Sequence, residues 1–209
     1  MSRKKKQYTI GIDIGGTNMK AILFDGEKVL GDYSLGTPRD NLEHFLIMLQ
    51  ALVAPLLEKA NEMKIKVAGV GLGVAGWIDY GEEKMLVSPN IPLINGIKLG
   101  QLLSGRIEMP VRMENDAACF VRAEAVLGAG KKVNSVYGFT IGTGIGGGWC
   151  IDGNIYRGKL GGSGEPGQMV IDFANGMKLE EAYHKLTQNN PGQLAEEAYR
   201  GDILAERTF

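Results

Sequence analysis

The chain has 209 residues, 44% hydrophobic and 22% charged, enough apolar content to bury a real core while keeping the surface wet. A formal net charge of -1 and a pI near 6.2 provide no general attraction to nucleic acid or anionic lipid, which excludes those partners and favours a small substrate. Glycine is the outlier at 31 residues, and its clustering in turns without a fixed period excludes collagen and linker sequences.

The basic run at residues 3–6 reads as a solvated tail. Short β-branched runs then predict strands over 8–14, 19–25 and 28–34, with Asp25-Gly26 as a hairpin turn. Asp40 is the expected cap of a helix in which Leu42, Phe45, Leu46, Leu49, Leu52, Val53, Leu56 and Leu57 recur at helical spacing, kinked at Pro55. A strand over 66–74 opens into Ala75-Gly-Trp-Ile-Asp79, and Ser88-Pro-Asn-Ile-Pro92 reads as a loop. A strand over 111–113 delivers Glu114-Asn115-Asp116, where a helix to 127 begins. Strands over 135–141 and 147–151, followed by an Asp152-Gly153 turn, rebuild the opening hairpin, so the halves read as duplicates of one unit. Helices near 194–199 and 203–207 are separated by Gly201-Asp202. No apolar run approaches the ~20 residues a bilayer span needs. With no secretory segment visible, Cys119 and Cys150 read as reduced thiols of a cytoplasmic protein.

The chemistry sits in two glycine-rich stretches, Asp13-Ile-Gly-Gly-Thr-Asn18 and Gly142-Thr-Gly-Ile-Gly-Gly-Gly148, on either side of Glu114-Asn115-Asp116. Each follows a β-branched run, so each is expected to present backbone N–H groups at a strand end, where phosphate oxygens fit. A carboxylate between two such turns suits proton removal from a hydroxyl that attacks a phosphoryl group. Asp at the start of a helix is also an ordinary cap, and the tripeptide alone leaves both readings open. Neither stretch ends in the Gly-Lys-Ser/Thr of a Walker A loop.

Taken together, Gly11-Ile-Asp-Ile-Gly-Gly-Thr17, the loop 71–79, Ser88-Pro-Asn90, Glu114-Asn-Asp116, Gly142-Thr-Gly-Ile-Gly-Gly147 and Gly161-Gly-Ser-Gly-Glu-Pro-Gly167 resemble the ROK family of sugar kinases and sugar-responsive repressors, in the actin-like ATPase superfamily. The resemblance covers nearly the whole chain. It implies an α/β, ribonuclease-H-like fold of two lobes with mixed sheets, here 1–116 and 117–209, with sugar and ATP meeting in the cleft between them. It further implies that Gly15, Gly16 and Thr17 hold the outer phosphates, that Asp13 orients a hydrated Mg²⁺, and that Gly142, Thr143 and Gly144 hold the opposite side. For the sugar it makes Asp116 the general base, gives Asn115 hydrogen bonds to neighbouring hydroxyls, and places Glu165 near the anomeric end. Glu180 matches a second sugar-binding glutamate, with Glu181 adjacent and a solvated helix charge as the competing reading. Gly76 and Asn90 come from the two substrate-side loops. The implied activity is ATP-dependent transfer to a hydroxyl, most often the 6-hydroxyl, of a hexose or N-acetylhexosamine, and the implied assembly is a homodimer. A non-catalytic sugar-binding regulator, or an inactive truncated kinase, is the alternative.

Three departures from the family pattern stand out. Gln168 takes the place of a histidine that contacts sugar and often coordinates zinc, and glutamine is a poor zinc ligand. The Cys-rich loop that usually follows is replaced by Asp172-Phe-Ala-Asn-Gly176, so no zinc site is expected, and His44 and His184 read as ordinary helix residues. The second lobe reads as incomplete at Phe209, where family members usually continue into the adenosine pocket.

Overall fold

Alternation of buried and exposed side chains builds the first sheet. In β1 (Tyr8–Ile14) the isoleucines Ile10, Ile12 and Ile14 point inward, and in β2 (Asn18–Phe24) Met19, Ala21 and Leu23 do. The computed structural model describes residues 6–187 and 191–208; the expected tail at residues 3–5 and the end of the chain at 209 lie outside the described residues. The chain divides into two units, Met1–Cys119 and Phe120–Phe209.

In the first unit β2 turns into β3 (Val29–Gly36) through the expected Asp25-Gly26 hairpin. Asp25 Oδ1 accepts the N–H groups of Glu27 (2.9 Å) and Lys28 (2.8 Å), and Gly26 takes φ +94°, which suits a residue without Cβ. Helix α1 (Leu42–Glu62) follows, and its buried stripe Phe45, Leu46, Leu49, Leu52, Val53, Leu56 and Ala60 packs on β2 and β3. Its cap is Asn41, one residue beyond the expected Asp40: Asn41 Oδ1 accepts the His44 N–H at 2.9 Å, while Asp40 is drawn to the His44 ring, also at 2.9 Å.

Strands β4 (Val67–Val74), β5 (Trp77–Asp79) and β6 (Lys84–Val87) come next, then α2 (Leu99–Ile107) and β7 (Val111–Asn115). The sheet order is β3-β2-β1-β4-β7, with β1, β4 and β7 parallel and β2 antiparallel to both neighbours. Helix α3 (Asp116–Val126) starts directly at the end of β7 and leads into the second unit.

There β8 (Ser135–Ile141), β9 (Ile145–Ile151) and β10 (Asn154–Ile155) form an antiparallel meander ordered β10-β9-β8. Strand β9 begins two residues before its expected start at 147, because the ladder closes tightly on the glycine turn with Ile141 paired to Ile145. A small β11 (Val170–Asp172) and β12 (Met177–Lys178) pair leads into α4 (Leu179–Leu186), with α5 (Pro191–Tyr199) and α6 (Ile203–Thr208) after it. The mixed α/β architecture is the one expected from the sequence.

Candidate active site

The first unit brings its functional candidates to the carboxyl ends of three parallel strands, where open α/β sheets bind ligands. Asp13 lies near the end of β1, Gly76 just past β4, and Asn115 and Asp116 at the junction of β7 and α3. Parallel pairing across β4, Asp13 to Gly73 and Gly73 to Glu114, is what carries Asp13 and Asp116 into one neighbourhood from residues a hundred positions apart.

The Asp13 carboxyl is held above the usual carboxylate range, first by partial withdrawal from water and then by the negative charge of Asp116, with Lys20 opposing. Asn115 caps α3 by accepting the Ala118 N–H at 3.0 Å, and its Nδ2 donates to the Gly76 carbonyl at 3.1 Å. Asp116 Oδ1 accepts its neighbour's N–H, that of Ala117, at 2.9 Å. Asn115 thus supplies the longer-range side-chain cap of α3. Gly76 has φ +130° and a Cβ there would lie 2.1 Å from the Val87 carbonyl, so no other residue fits.

The first glycine turn is held from one side. Gly15 N–H donates to Asn18 O at 3.0 Å, and Asn90 lies beside Gly16, whose Cβ position is 3.2 Å from Asn90 Cβ. The Thr37 hydroxyl donates to Gly15 O at 2.7 Å, and Arg39 Nε and Nη2 donate to Gly16 O at 3.0 and 2.6 Å. Sequence reasoning missed Thr37 and Arg39. The β2–β3 pairing carries the signal, but an irregularity in register between Leu23 and Phe24 shifts any count made from the Asp25-Gly26 turn. Tyr80 was also missed: its hydroxyl donates to Oε1 of Glu114, the first residue of the 114–116 motif, tying the loop after β5 to the end of β7.

The second unit gathers Gly142–Gly144, Glu180 and the 164–167 loop around the β8–β9 turn. Glu180 Oε2 accepts the Ile145 N–H at 2.9 Å and lies 2.8 Å from the Cβ position of Gly144. The Tyr183 hydroxyl donates to Gly142 O at 2.8 Å. Gly164, at φ +90°, and Gly167 press against β9, where added Cβ atoms would meet Gly148 Cα at 3.0 Å and Ile145 O at 2.4 Å. Gln168 faces outward and its Oε1 accepts Lys178 Nζ at 2.9 Å. Glu181 accepts the Lys178 N–H at 3.3 Å, which leaves Glu180 as the glutamate directed at the turn.

Among the described residues no group of three or more His, Cys, Asp or Glu side chains could hold a metal. Two neighbouring carboxylates beside a turn of backbone amides do fit Mg²⁺, which keeps most of its waters and is bound through one or two carboxylates and phosphate oxygens.

The chain is 35% identical over 162 residues to an N-acetylgalactosamine kinase of Shewanella sp. (strain ANA-3), covering 77% of this chain and 51% of that protein. It is 37% identical over 163 residues to an N-acetyl-D-glucosamine kinase of Pectobacterium atrosepticum, covering 77% and 52%. The chain thus spans about half the length of the curated relatives it matches. Among solved structures, a ROK hexokinase from Thermus thermophilus superposes with TM-score 0.79 at 29% identity, over 97% of this chain and 72% of that one. A ROK family glucokinase from Streptomyces griseus, in complex with glucose and AMPPNP, gives TM-score 0.73 at 26% identity, over 96% and 74%. With residues 9–187 matching the family model, this chain is a member of the ROK family and has its actin-like ATPase fold.

Proposed function

We propose that the chain belongs to an ATP-dependent sugar kinase that phosphorylates a hydroxyl, most often the 6-hydroxyl, of an N-acetylhexosamine or hexose in the cytoplasm. The observation that carries this reading is the pair Asp13 and Asp116 beside the first glycine turn, at the carboxyl ends of parallel strands. The N-acetylhexosamine names of the relatives put those sugars first in the panel to be tested.

In this mechanism Asp116 takes the proton from the attacking hydroxyl, and Asn115, steadied by the Gly76 carbonyl, orients the neighbouring hydroxyls. Backbone N–H groups of Gly15, Gly16 and Thr17 receive phosphate oxygens, and Gly142, Thr143 and Gly144 form the second anion-receptive bend. Asp13 is the residue that would hold hydrated Mg²⁺, which when bound shields phosphate charge. Glu165 contributes a sugar contact, Gln168 does so on release from Lys178 and Glu180 on release from Ile145, and Asn90 orders the rim beside Gly16.

The test is an ADP-release assay across N-acetylglucosamine, N-acetylgalactosamine, N-acetylmannosamine, glucose and mannose. Asp116→Ala is expected to lower kcat by about two to four orders of magnitude with sugar affinity little changed. Activity equal to that of the parent rejects the assignment. A second reading is a sugar-binding module without turnover. Calorimetry that finds sugar binding indifferent to MgATP selects it.

A further inference from the structure

We propose that Thr37 and Arg39 are positioning residues that set the first glycine turn as an anion cradle; the anion's identity as phosphate rests on the sugar-kinase reading above. Three successive carbonyls of that turn are bound to one short segment. Gly15 O accepts the Thr37 hydroxyl at 2.7 Å, Gly16 O accepts Arg39 Nε and Nη2 at 3.0 and 2.6 Å, and Thr17 O accepts the Thr37 N–H at 2.9 Å.

A trans peptide points its C=O and N–H in opposite directions, and no cis peptide occurs among the described residues. Drawing the carbonyls of Gly15, Gly16 and Thr17 toward residues 37–39 therefore turns the N–H groups of Gly16, Thr17 and Asn18 away from them. A glycine turn left alone samples many orientations. The brace selects the one in which neighbouring N–H groups converge, the arrangement that binds oxyanions. Thr37 is well placed for this because it directly follows β3, whose ladder already pairs Asn18 with Gly36.

Arg39 adds a second effect. Both of its bonds run to one carbonyl, and the Cβ position of Gly16 lies 3.3 Å from Nη2, so the guanidinium is fixed against the turn with hydrogen-bonding capacity to spare. A permanent cation beside the cradle raises its affinity for a polyanion. Lysine keeps the charge but lacks the fork that reaches Gly16 O twice.

The purified chain tests this in two arms. Without ligand, ¹⁵N-labelled R39Q and T37V are expected to shift the Gly16, Thr17 and Asn18 amide resonances, with T37S restoring the parent spectrum. Calorimetry with Mg²⁺ and inorganic tripolyphosphate, a probe lacking adenosine, is expected to show binding weakened about tenfold in R39Q and in T37V. R39K is expected to fall between parent and R39Q, and N-acetylglucosamine affinity to stay within about twofold of the parent. Unmoved amide resonances overturn the positioning role, as does equal loss of sugar and tripolyphosphate binding, which signals general unfolding. Unchanged tripolyphosphate affinity in both variants overturns it too. A parent chain that binds no tripolyphosphate rejects the phosphotransfer reading instead, and the amide shifts then decide the brace on their own.

Discussion

Asp13 illustrates how a carboxylate of the candidate site is kept at a cost. Partial desolvation and the Asp116 charge raise its folded-state pKa, so the folded protein holds that proton more tightly than the unfolded chain does. Stability linked to Asp13 is therefore highest below its ordinary value and declines as pH rises through the raised folded value. Asp13→Asn is expected to melt slightly higher than the parent at neutral pH, a small gain because the side chain retains access to water. Paired thermal melts at acidic and neutral pH check this, and a variant less stable than the parent at neutral pH contradicts it. Glu180 poses the opposite case. Its Oε2 accepts the N–H of buried Ile145, so Glu180→Ala leaves that donor unsatisfied and is expected to cost the second unit about 1–3 kcal/mol. Urea titration measures it, and a stability unchanged from the parent contradicts it.

At the scale of elements, the β2–β3 hairpin is fixed by one side chain doing two tasks. Asp25 pairs with Lys6 Nζ through Oδ2 at 2.6 Å and accepts two turn amides, of Lys28 and Glu27, through Oδ1, which together lower its pKa to about 2. That contribution is fully present above the ordinary value near 3.8 and is lost as pH falls through about 2. Asparagine keeps the turn acceptor and removes the charge. Asp25→Asn is thus expected to be less stable than the parent at pH 6, with the difference closing by about pH 2 in acid-titrated melts. This hairpin was legible because Asp-Gly between β-branched runs is a strong local signal. The cap of α1 was legible only to within a residue, since Asp40 and Asn41 can each cap and only the His44 contacts decide. Parallel order β1-β4-β7 was not written in any periodicity; it depends on long-range pairing, and it alone explains why Asp13 and Asp116 meet. The Glu180 contact with Ile145 joins residues 35 apart, and helical spacing carries no trace of it.

Across the whole molecule the hydrophobic core is unevenly shared. The contiguous buried cluster runs from Ile10 to Leu103, entirely inside the first unit, with Phe45, Leu49 and Leu52 of α1 fully enclosed. In the second unit the buried apolar side chains among the described residues are Val121, Ile145, Cys150, Pro166, Tyr183 and Ala205, and the β8–β9 face leaves Tyr137, Phe139 and Trp149 open to solvent. Those rings stack edge to face, Tyr137 with Phe139 at 5.2 Å and with Trp149 at 6.3 Å, but edge-to-face pairs that stay wet contribute little beside enclosed aliphatic packing. Opening free energies follow buried apolar contact, so amides of β1, β2 and β4 are expected to exchange hydrogen far more slowly than those of β8 and β9. Leu49→Ala removes a fully buried side chain and is expected to cost about 2–5 kcal/mol, lowering protection throughout the first sheet and leaving β8 and β9 as in the parent. Equal protection of both sheets in the parent chain, measured by exchange and mass spectrometry, would mean that the meander draws its stability from something other than its own enclosed core.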